Sequence, residues 1–404
     1  MTQALFDVVI VGGGIVGLSF ANELAASDFS VAIVERNAVK AINEEVDCRV
    51  SAINRFSLER FKQFGVMQSS LAERACAFEK MFVWDRTGLG QIEFDSAELG
   101  LPMLGVIIEN SVLQQMLLDA VKTADNITYL CPEEITEIHY TAEVSSANAK
   151  QPEQTQRVSN ITLSSGRQLS AKLLVGADGV HSKVREIASI QRHQQSYQQH
   201  ALVCNVRTSE SHQHTAWQCF MPSGPLAFLP LFNGCSSIVW SLDEDAARER
   251  MALDDKAFMK ALAEASEFRL GEVVELGPRF LFPLSHGHAT EYVKPGLALI
   301  GDAAHSIHPL AGQGANLGIA DAAALAEVIS AARKANRQWA AAHTLNKYQR
   351  QRKGANRLME MSMTGFKELF GHDNALLSEI RNAGLSLVDH LPALKYRIIR
   401  QALG

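Results

Sequence analysis

The sequence predicts an α/β fold: a nucleotide-binding domain interrupted by a mostly antiparallel β domain and closed by C-terminal helices. Three observations lead there. The chain opens with an apolar run, a glycine-rich turn, a helix and a second apolar run, which is the order of a dinucleotide-binding unit. From about residue 195 it changes to short β-rich runs separated by Pro, Gly and Asn turns. Beyond Gln313 it is rich in alanine and reads as helical.

Taken in order, Phe6–Val11 is a strand, Gly12–Gly17 a turn, and a helix runs on to about Ser27 before the strand Val31–Val34. Ser51–Phe64 reads as a helix, Met81–Trp84 and Ile92–Phe94 as strands, and Gly105–Glu109 as a strand leading into a helix over Ser111–Lys122. Thr141–Arg157 is polar and aperiodic, so it reads as a surface loop within a hairpin. Leu173–Gly176 is a buried strand. His200–Val206, Trp217–Met221, Leu226–Phe232 and Ser236–Ser241 follow as strands, then helices over Asp243–Met251 and Lys256–Ala265. Val273–Leu276, Arg279–Phe282 and Leu297–Ile300 are the last strands. The expected division is 1–75, 103–185 and 284–345 for the nucleotide-binding domain, 76–102 and 186–283 for the β domain, and 346–404 for a C-terminal helical segment.

Composition removes several function classes. A net charge of −6 argues against general nucleic-acid binding, which needs a basic patch. The six cysteines show no CxxC spacing and no secretory signal is visible, so reduced thiols in a cytoplasmic protein are expected. The longest uninterrupted apolar runs fall short of the roughly 20 residues that span a bilayer, so membrane contact is expected to be peripheral at most.

The chemistry lies in three glycine-bearing turns. Gly12, Gly14 and Gly17 form G-x-G-x-x-G between a strand and a helix, and Glu35 ends the next strand. In that context Gly12 permits the tight turn, Gly14 lets the backbone approach a pyrophosphate, and Gly17 allows close helix–strand packing. Glu35 is placed to accept hydrogen bonds from adenosine ribose hydroxyls. Arg49 suits either the pyrophosphate or a redox ring's edge, or is a solvated surface arginine. Asp178 and Gly179, in the turn of Gly176–Arg185, fit both a helix cap and a ligand site at a strand's carboxyl end. The third turn runs from Gly301 to Asp321. Asp302 can accept from a polyol such as ribityl, Pro309 and Leu310 shape a turn, and the amides of Gly312, Gln313, Gly314 and Ala315 open a helix where negative charge on a reduced flavin would develop. Two anion-receptive turns so far apart outline one long cofactor, FAD. His305 and His308, without nearby carboxylates or cysteines, make a poor zinc site, and no metal is expected. Asp321 reads as an anchor for the helix, without chemistry. The sequence has no nucleophile elbow, H-E-x-x-H or P-loop, and no second G-x-G-x-x-G for a nicotinamide nucleotide.

Read together, Gly12–Gly17 with Glu35, Gly176–Arg185 and Gly301–Asp321 resemble the single-component FAD-dependent aromatic hydroxylases over essentially the whole chain. Arg49-Val50-Ser51-Ala52-Ile53, Leu104-Gly105 with Glu109-Asn110, Gly224–Leu231 and the ending Arg381–Leu385 with Gln401–Gly404 resemble the ubiquinone-biosynthesis branch. That resemblance implies a glutathione-reductase-type FAD domain and hydroxylation of a polyprenylated phenol or benzoquinol through a flavin C4a-hydroperoxide. It implies O2 and NAD(P)H as co-substrates and a quinone-biosynthesis assembly as a partner. It also implies that Gly12, Gly14, Gly17, Glu35 and Arg49 hold the adenosine and pyrophosphate. Asp178 and Gly179 lie in a stretch tied to both FAD and NAD(P)H. Asp302 would take the ribityl chain, and Pro309 with Gly312–Ala315 the ring. Trp217–Pro222 and Gly224–Leu231 would wall the substrate chamber. No acid or base, and no ring position, is singled out. A hydroxylase of a small soluble aromatic and a non-catalytic flavin-binding subunit are the alternatives; a halogenase is disfavoured because no two tryptophans are spaced as W-x-W. Leu391–Gly404 carries Lys395, Arg397 and Arg400 without an acid. It reads either as a packed helix or as a basic amphipathic one meeting an anionic membrane or a partner in a biosynthetic assembly.

Overall fold

A computed structural model describes residues 4–140, 159–306 and 314–370. Thr141–Arg157, Pro309, Gly312, Gln313 and the basic stretch 391–404 lie outside the described residues.

The first sheet runs Val293–Lys294, Leu297–Leu299, Gln168–Gly176, Ala4–Val11, Val31–Val34 and Ile127–Leu130, with Ser159–Leu163 added antiparallel to Gln168–Gly176 and Ile135–Tyr140 antiparallel to Ser159–Leu163. Four of its pairings are parallel, and their register sets up everything that follows. Val11 lies opposite both Val34 and Gly176, and Gly176 lies opposite Leu299. Four adjacent strands therefore end at one level. Val8, Val9, Ile10 and Val31–Val34 are fully or almost fully buried, as expected for parallel strands covered on both faces. Helix Ile15–Leu24 packs between helices Gly314–Lys334 and Asn110–Lys122. Its buried Asn22 donates to Leu18 and Leu117 carbonyls, stitching it to the last of these.

The second sheet orders His305–Ser306, Phe280–Ala289, Arg192–Thr208, Ser236–Asp243, Leu226–Pro230, Thr215–Phe220, Lys80–Asp85 and Gln91–Asp95. Its pairings are antiparallel except that Thr215–Phe220 runs parallel to Lys80–Asp85. Alternate residues divide between two cores. Leu202, Cys204, Phe228, Ile238 and Trp240 face a cluster containing Phe258 and Leu262 of helix Asp255–Ala265. Ala201, Val203 and Leu284 face the other way, against Cys48, Val239 and Phe282.

Three expectations need correction. Residues 51–54 are not helical: Val50–Asn54 is a strand in a three-stranded antiparallel sheet with Gly105–Glu109 and Cys76–Phe78. The helix begins at Arg55, where Asn54 Oδ1 accepts the Ser57 N–H at 3.0 Å, so an N-cap rather than a continuous helix explains the polar start. The strands read as His200–Val206 and Arg279–Phe282 extend over Arg192–Thr208 and Phe280–Ala289. Their extra length is a ribbon of His, Gln and Ser with one exposed strand, and it lacks the apolar alternation that marks a half-buried strand. Finally, helix Gly314–Lys334 is long and apolar enough by composition to cross a bilayer (mean hydropathy 1.3), although its run is broken by Asn316 and Asp321. It is a core helix, with Ile319, Leu325 and Ile329 at most 1% exposed.

Candidate functional site

Because the strand ends are level, the three turns and Glu35 emerge side by side at one sheet edge, the carboxyl edge where open α/β sheets take ligands. Gly12 has φ +106°, and a Cβ there would meet the Ala177 carbonyl oxygen at 2.4 Å, so the first and second turns touch. At Gly17 a Cβ would lie 2.0 Å from the Gly12 carbonyl oxygen, which is the close helix–turn approach expected of the third glycine. Gly14 caps the helix in extended conformation, with no side-chain cap and open space around its Cα. The first backbone N–H groups of that helix have no intrahelical acceptor and face outward with the positive helix end. Glu35 accepts the Gly13 N–H at 2.6 Å and the Asn37 N–H at 2.8 Å. A carboxylate has about four acceptor sites, which leaves room for a pair of vicinal hydroxyls.

The second and third turns are fastened together by two arginines. Arg185 donates to the Ala303 and Val180 carbonyls at 2.9 and 2.8 Å. Arg192 donates to the Val180 carbonyl at 3.0 Å and to Ser306 Oγ at 2.5 Å. Ser182 caps the short helix Lys183–Ile187 by accepting the Arg185 N–H, and Asp178 Oδ2 accepts the neighbouring Val184 N–H. Its Oδ1 is buried with no hydrogen-bond partner among the described residues. Burial pushes the Asp178 carboxyl above the usual range, against hydrogen bonds from Ser182 and the backbone of Val184.

Asp302 is reachable by solvent yet closely surrounded by protein. Burial raises its pKa, against the pull of His305, Arg192 and Arg49. Arg49 is exposed, with its guanidinium 5.7 Å from the centroid of the Phe282 ring, on the face of the β sheet that meets the first domain. His305 is buried and lies 2.5 Å from Asp321 through Nε2 and Oδ2, which accounts for that histidine as part of the scaffold.

The β-sheet face toward these turns is apolar, made by Ala201, Val203, Ala227, Leu229, Phe282 and Leu284. Of the two stretches expected to wall a chamber, Gly224–Leu231 contributes Ala227, Leu229 and Leu231 to the cluster that also holds Val50 and Ala52. Trp217 and Cys219 instead pack with Trp84 on the opposite face. A separate cavity of about 480 Å³ lies between the 40–48 loop and residues 275–280, with a lining that includes Lys40, Glu44, Asp47 and Glu275. It is too charged to extend the apolar wall.

One comparison decides the family: the family described as FAD binding domain matches residues 6–362. The chain belongs to the FAD-binding hydroxylases of ubiquinone biosynthesis. It is 35% identical to 3-demethoxyubiquinol 3-hydroxylase of Escherichia coli strain K12, covering 100% of both chains. It is 32% identical to the mitochondrial ubiquinone biosynthesis monooxygenase COQ6 of Homo sapiens, covering 98% of this chain and 92% of that one. Its fold is that of p-nitrophenol 4-monooxygenase PnpA from Pseudomonas putida DLL-E4, with a TM-score of 0.78 at 17% identity over 100% and 99% of the two chains. The cofactor of this hydroxylase is FAD, and the residues present fit it: an uncapped helix start for a pyrophosphate, a carboxylate with spare acceptor sites, and a buried carboxylate oxygen lacking a partner.

Two residues of the site escaped the sequence reading. Gln114 donates through Nε2 to the Gly13 carbonyl at 2.7 Å and so holds the first turn from behind. Asn316, 5% exposed, donates to the Ala52 carbonyl at 2.7 Å and accepts from Asn54 N–H at 3.0 Å and Ser57 Oγ at 2.9 Å. A polar residue in the first turn of an alanine-rich helix was the available signal for it; Gln114 had none.

Proposed function

We propose that this hydroxylase inserts one oxygen atom into the ring of a polyprenylated phenol or benzoquinol intermediate of ubiquinone biosynthesis, with NAD(P)H as electron donor. The balance is ring C–H plus O2, NAD(P)H and H⁺ giving ring C–OH, water and NAD(P)⁺. The observation that carries this reading is the convergence of three turns at one sheet edge opposite an apolar β wall. When bound, FAD supplies the two-electron reduction and the oxygen activation.

The chain's own residues bind, orient and exclude water. Gly12, Gly14 and Gly17 bring backbone N–H groups to the pyrophosphate. Glu35 takes the adenosine ribose hydroxyls. Arg49 spans from the pyrophosphate toward Phe282 on the β wall. Asp178 and Gly179 line the second turn. Asp302 accepts from the ribityl hydroxyls, and its carboxylate then exchanges closely surrounding protein for hydrogen-bond donors. Pro309, Gly312, Gln313, Gly314 and Ala315 would hold the ring, where backbone N–H groups would stabilise negative charge. One such donor contributes roughly 3 kcal/mol to a barrier. Ala201, Val203, Leu229 and Phe282 keep water from the reacting ring and accept the greasy substrate. That substrate partitions into lipid, which supports a cytoplasmic protein attached at most peripherally to the inner face of the membrane.

The test is the mass of the quinone precursor that accumulates when the gene is deleted, together with turnover of that precursor by the purified protein. A precursor one oxygen short, hydroxylated in vitro with NAD(P)H, is expected. Normal quinone levels in the deletion strain, with NAD(P)H consumed and no hydroxylated product, would overturn the proposal in favour of a non-catalytic subunit.

A further inference from the structure

We propose that Asp321 is a positioning residue that locks the Gly301–His305 turn to helix Ala342–Phe370, so that FAD affinity depends on how that helix docks. The inference rests on the FAD reading of Asp302 and adds a control point remote from it.

Asp321 is fully buried and its two oxygens are divided between two elements. Oδ2 accepts the Gly301 N–H at 3.1 Å and faces His305 Nε2. Oδ1 accepts from Arg352 Nε at 2.7 Å and from Asn356 Nδ2 at 3.2 Å. Burial alone would raise this carboxyl's pKa, but His305 and Arg352 outweigh it and hold it below the usual range. The residue is thus a charged hinge pin between the turn bearing Asp302 and a helix that starts 40 residues after Asp302, at Ala342.

The same face of the helix grips the strand Leu297–Leu299, which delivers the turn, and the segment 290–292 before it. Tyr348 donates its hydroxyl to the Leu299 carbonyl at 2.7 Å, and Gln349 Oε1 accepts the Tyr292 N–H at 2.7 Å. Lys353 donates to the Thr290 carbonyl at 2.5 Å. Residues 348, 349, 352, 353 and 356 follow helical spacing, so one stripe of the helix addresses both the strand and Asp321. Among the described residues, Arg352 and Asn356 hydrogen-bond to the three turns only through Asp321 and the Leu317 carbonyl. Removing Arg352 leaves a buried carboxylate short of its partner, and the turn that shares this carboxylate must readjust.

The experiment compares Arg352→Gln, Arg352→Lys and Asn356→Ala with the parent full-length protein. Circular dichroism confirms folding of each apoprotein, and flavin-fluorescence quenching gives the FAD dissociation constant well below the melting temperature. The visible flavin absorbance of each reconstituted protein reports the surroundings of the ring. Arg352→Gln should weaken FAD about tenfold and alter the visible band shape, the scale of a coupling between two sites. Arg352→Lys, which keeps the charge, should recover part of that loss. A helix that merely stabilises the fold would lower the apoprotein's melting temperature and leave both affinity and spectrum at parental values, which overturns the proposal. If Arg352→Gln does not fold, Asn356→Ala decides: a folded variant with parental affinity and spectrum overturns the proposal, and one with weakened FAD and a shifted band supports it. A parent chain that binds no FAD overturns both readings, whereas a parent that binds it and folded variants that match it overturn only this one.

Discussion

Replacing Asn316 by Ala is expected to destabilise the protein and loosen its flavin together. The side chain makes three hydrogen bonds, to Ala52, Asn54 and Ser57, and Ser57 is fully buried. At a net value of roughly 1 kcal/mol each, their loss costs about 3 kcal/mol. For 404 residues melting as one unit, the unfolding entropy is about 0.85 kcal/mol/K, so the melting temperature should fall by about 3–4 °C. Because these bonds fix the first turn of helix Gly314–Lys334 against the strand Val50–Asn54, the backbone N–H groups proposed to adjoin the ring should also lose their alignment. Thermal melts of apoprotein and holoprotein, with flavin content after purification, measure both effects. An Asn316→Ala protein that melts within about 1 °C of the parent and keeps full flavin would refute the reasoning.

Asp302→Asn should separate stability from binding. Its pKa is raised in the fold, so the folded state favours the protonated form, and above that raised pKa the ionised carboxyl opposes folding. The neutral variant should therefore melt no lower than the parent as apoprotein at pH 7, yet lose flavin on purification; full flavin content would contradict the assigned role. Asp7 behaves with the opposite sign. Burial raises its carboxyl, but Lys172, Arg333 and the Ser30 N–H outweigh this and hold its pKa low. Its stabilisation is present above the unfolded value of about 4 and is lost as pH falls through the lower native value. Melting curves from pH 7 to 3 should show a shallower acid decline for Asp7→Asn; an unchanged slope refutes the assignment. Gly17→Ala forces a Cβ to 2.0 Å from the Gly12 carbonyl oxygen and should cost about 1–3 kcal/mol while displacing the first turn; flavin affinity equal to the parent's would count against that turn's role. On the membrane reading of residues 391–404, deleting them should abolish co-sedimentation with anionic vesicles; retained association in a folded protein ends that reading.

Much of the architecture was legible because it is written in local patterns. Gly12–Gly17 with Glu35, the Asp178-Gly179 turn and the Gly301-Asp302 turn each announce a strand end, and the structure sets all of them at one sheet edge. What the sequence hid depends on partners far along the chain. Asn316 meets Asn54 across 262 residues, and no periodicity encodes that encounter. Gln114 looks like any helix-surface amide until Gly13 is found beneath it. Ser51–Asn54 reads as helix because its strand character comes from pairing with Gly105–Glu109, a tertiary override of a helix-like stretch. Asp321 was read as an anchor, and the structure supplies what it anchors.

The level strand ends carry a consequence for biosynthesis. Val11, Gly176 and Leu299 are neighbours in space but are made at very different times during translation. No partial chain short of Leu299 can present all three turns, and none short of Asn356 can complete the hub around Asp321. Such distant pairings also form slowly, because the chain loses conformational freedom before the contacts compensate. With FAD held across all three turns, as proposed above, a nascent chain would stay flavin-free until the third turn has left the ribosome.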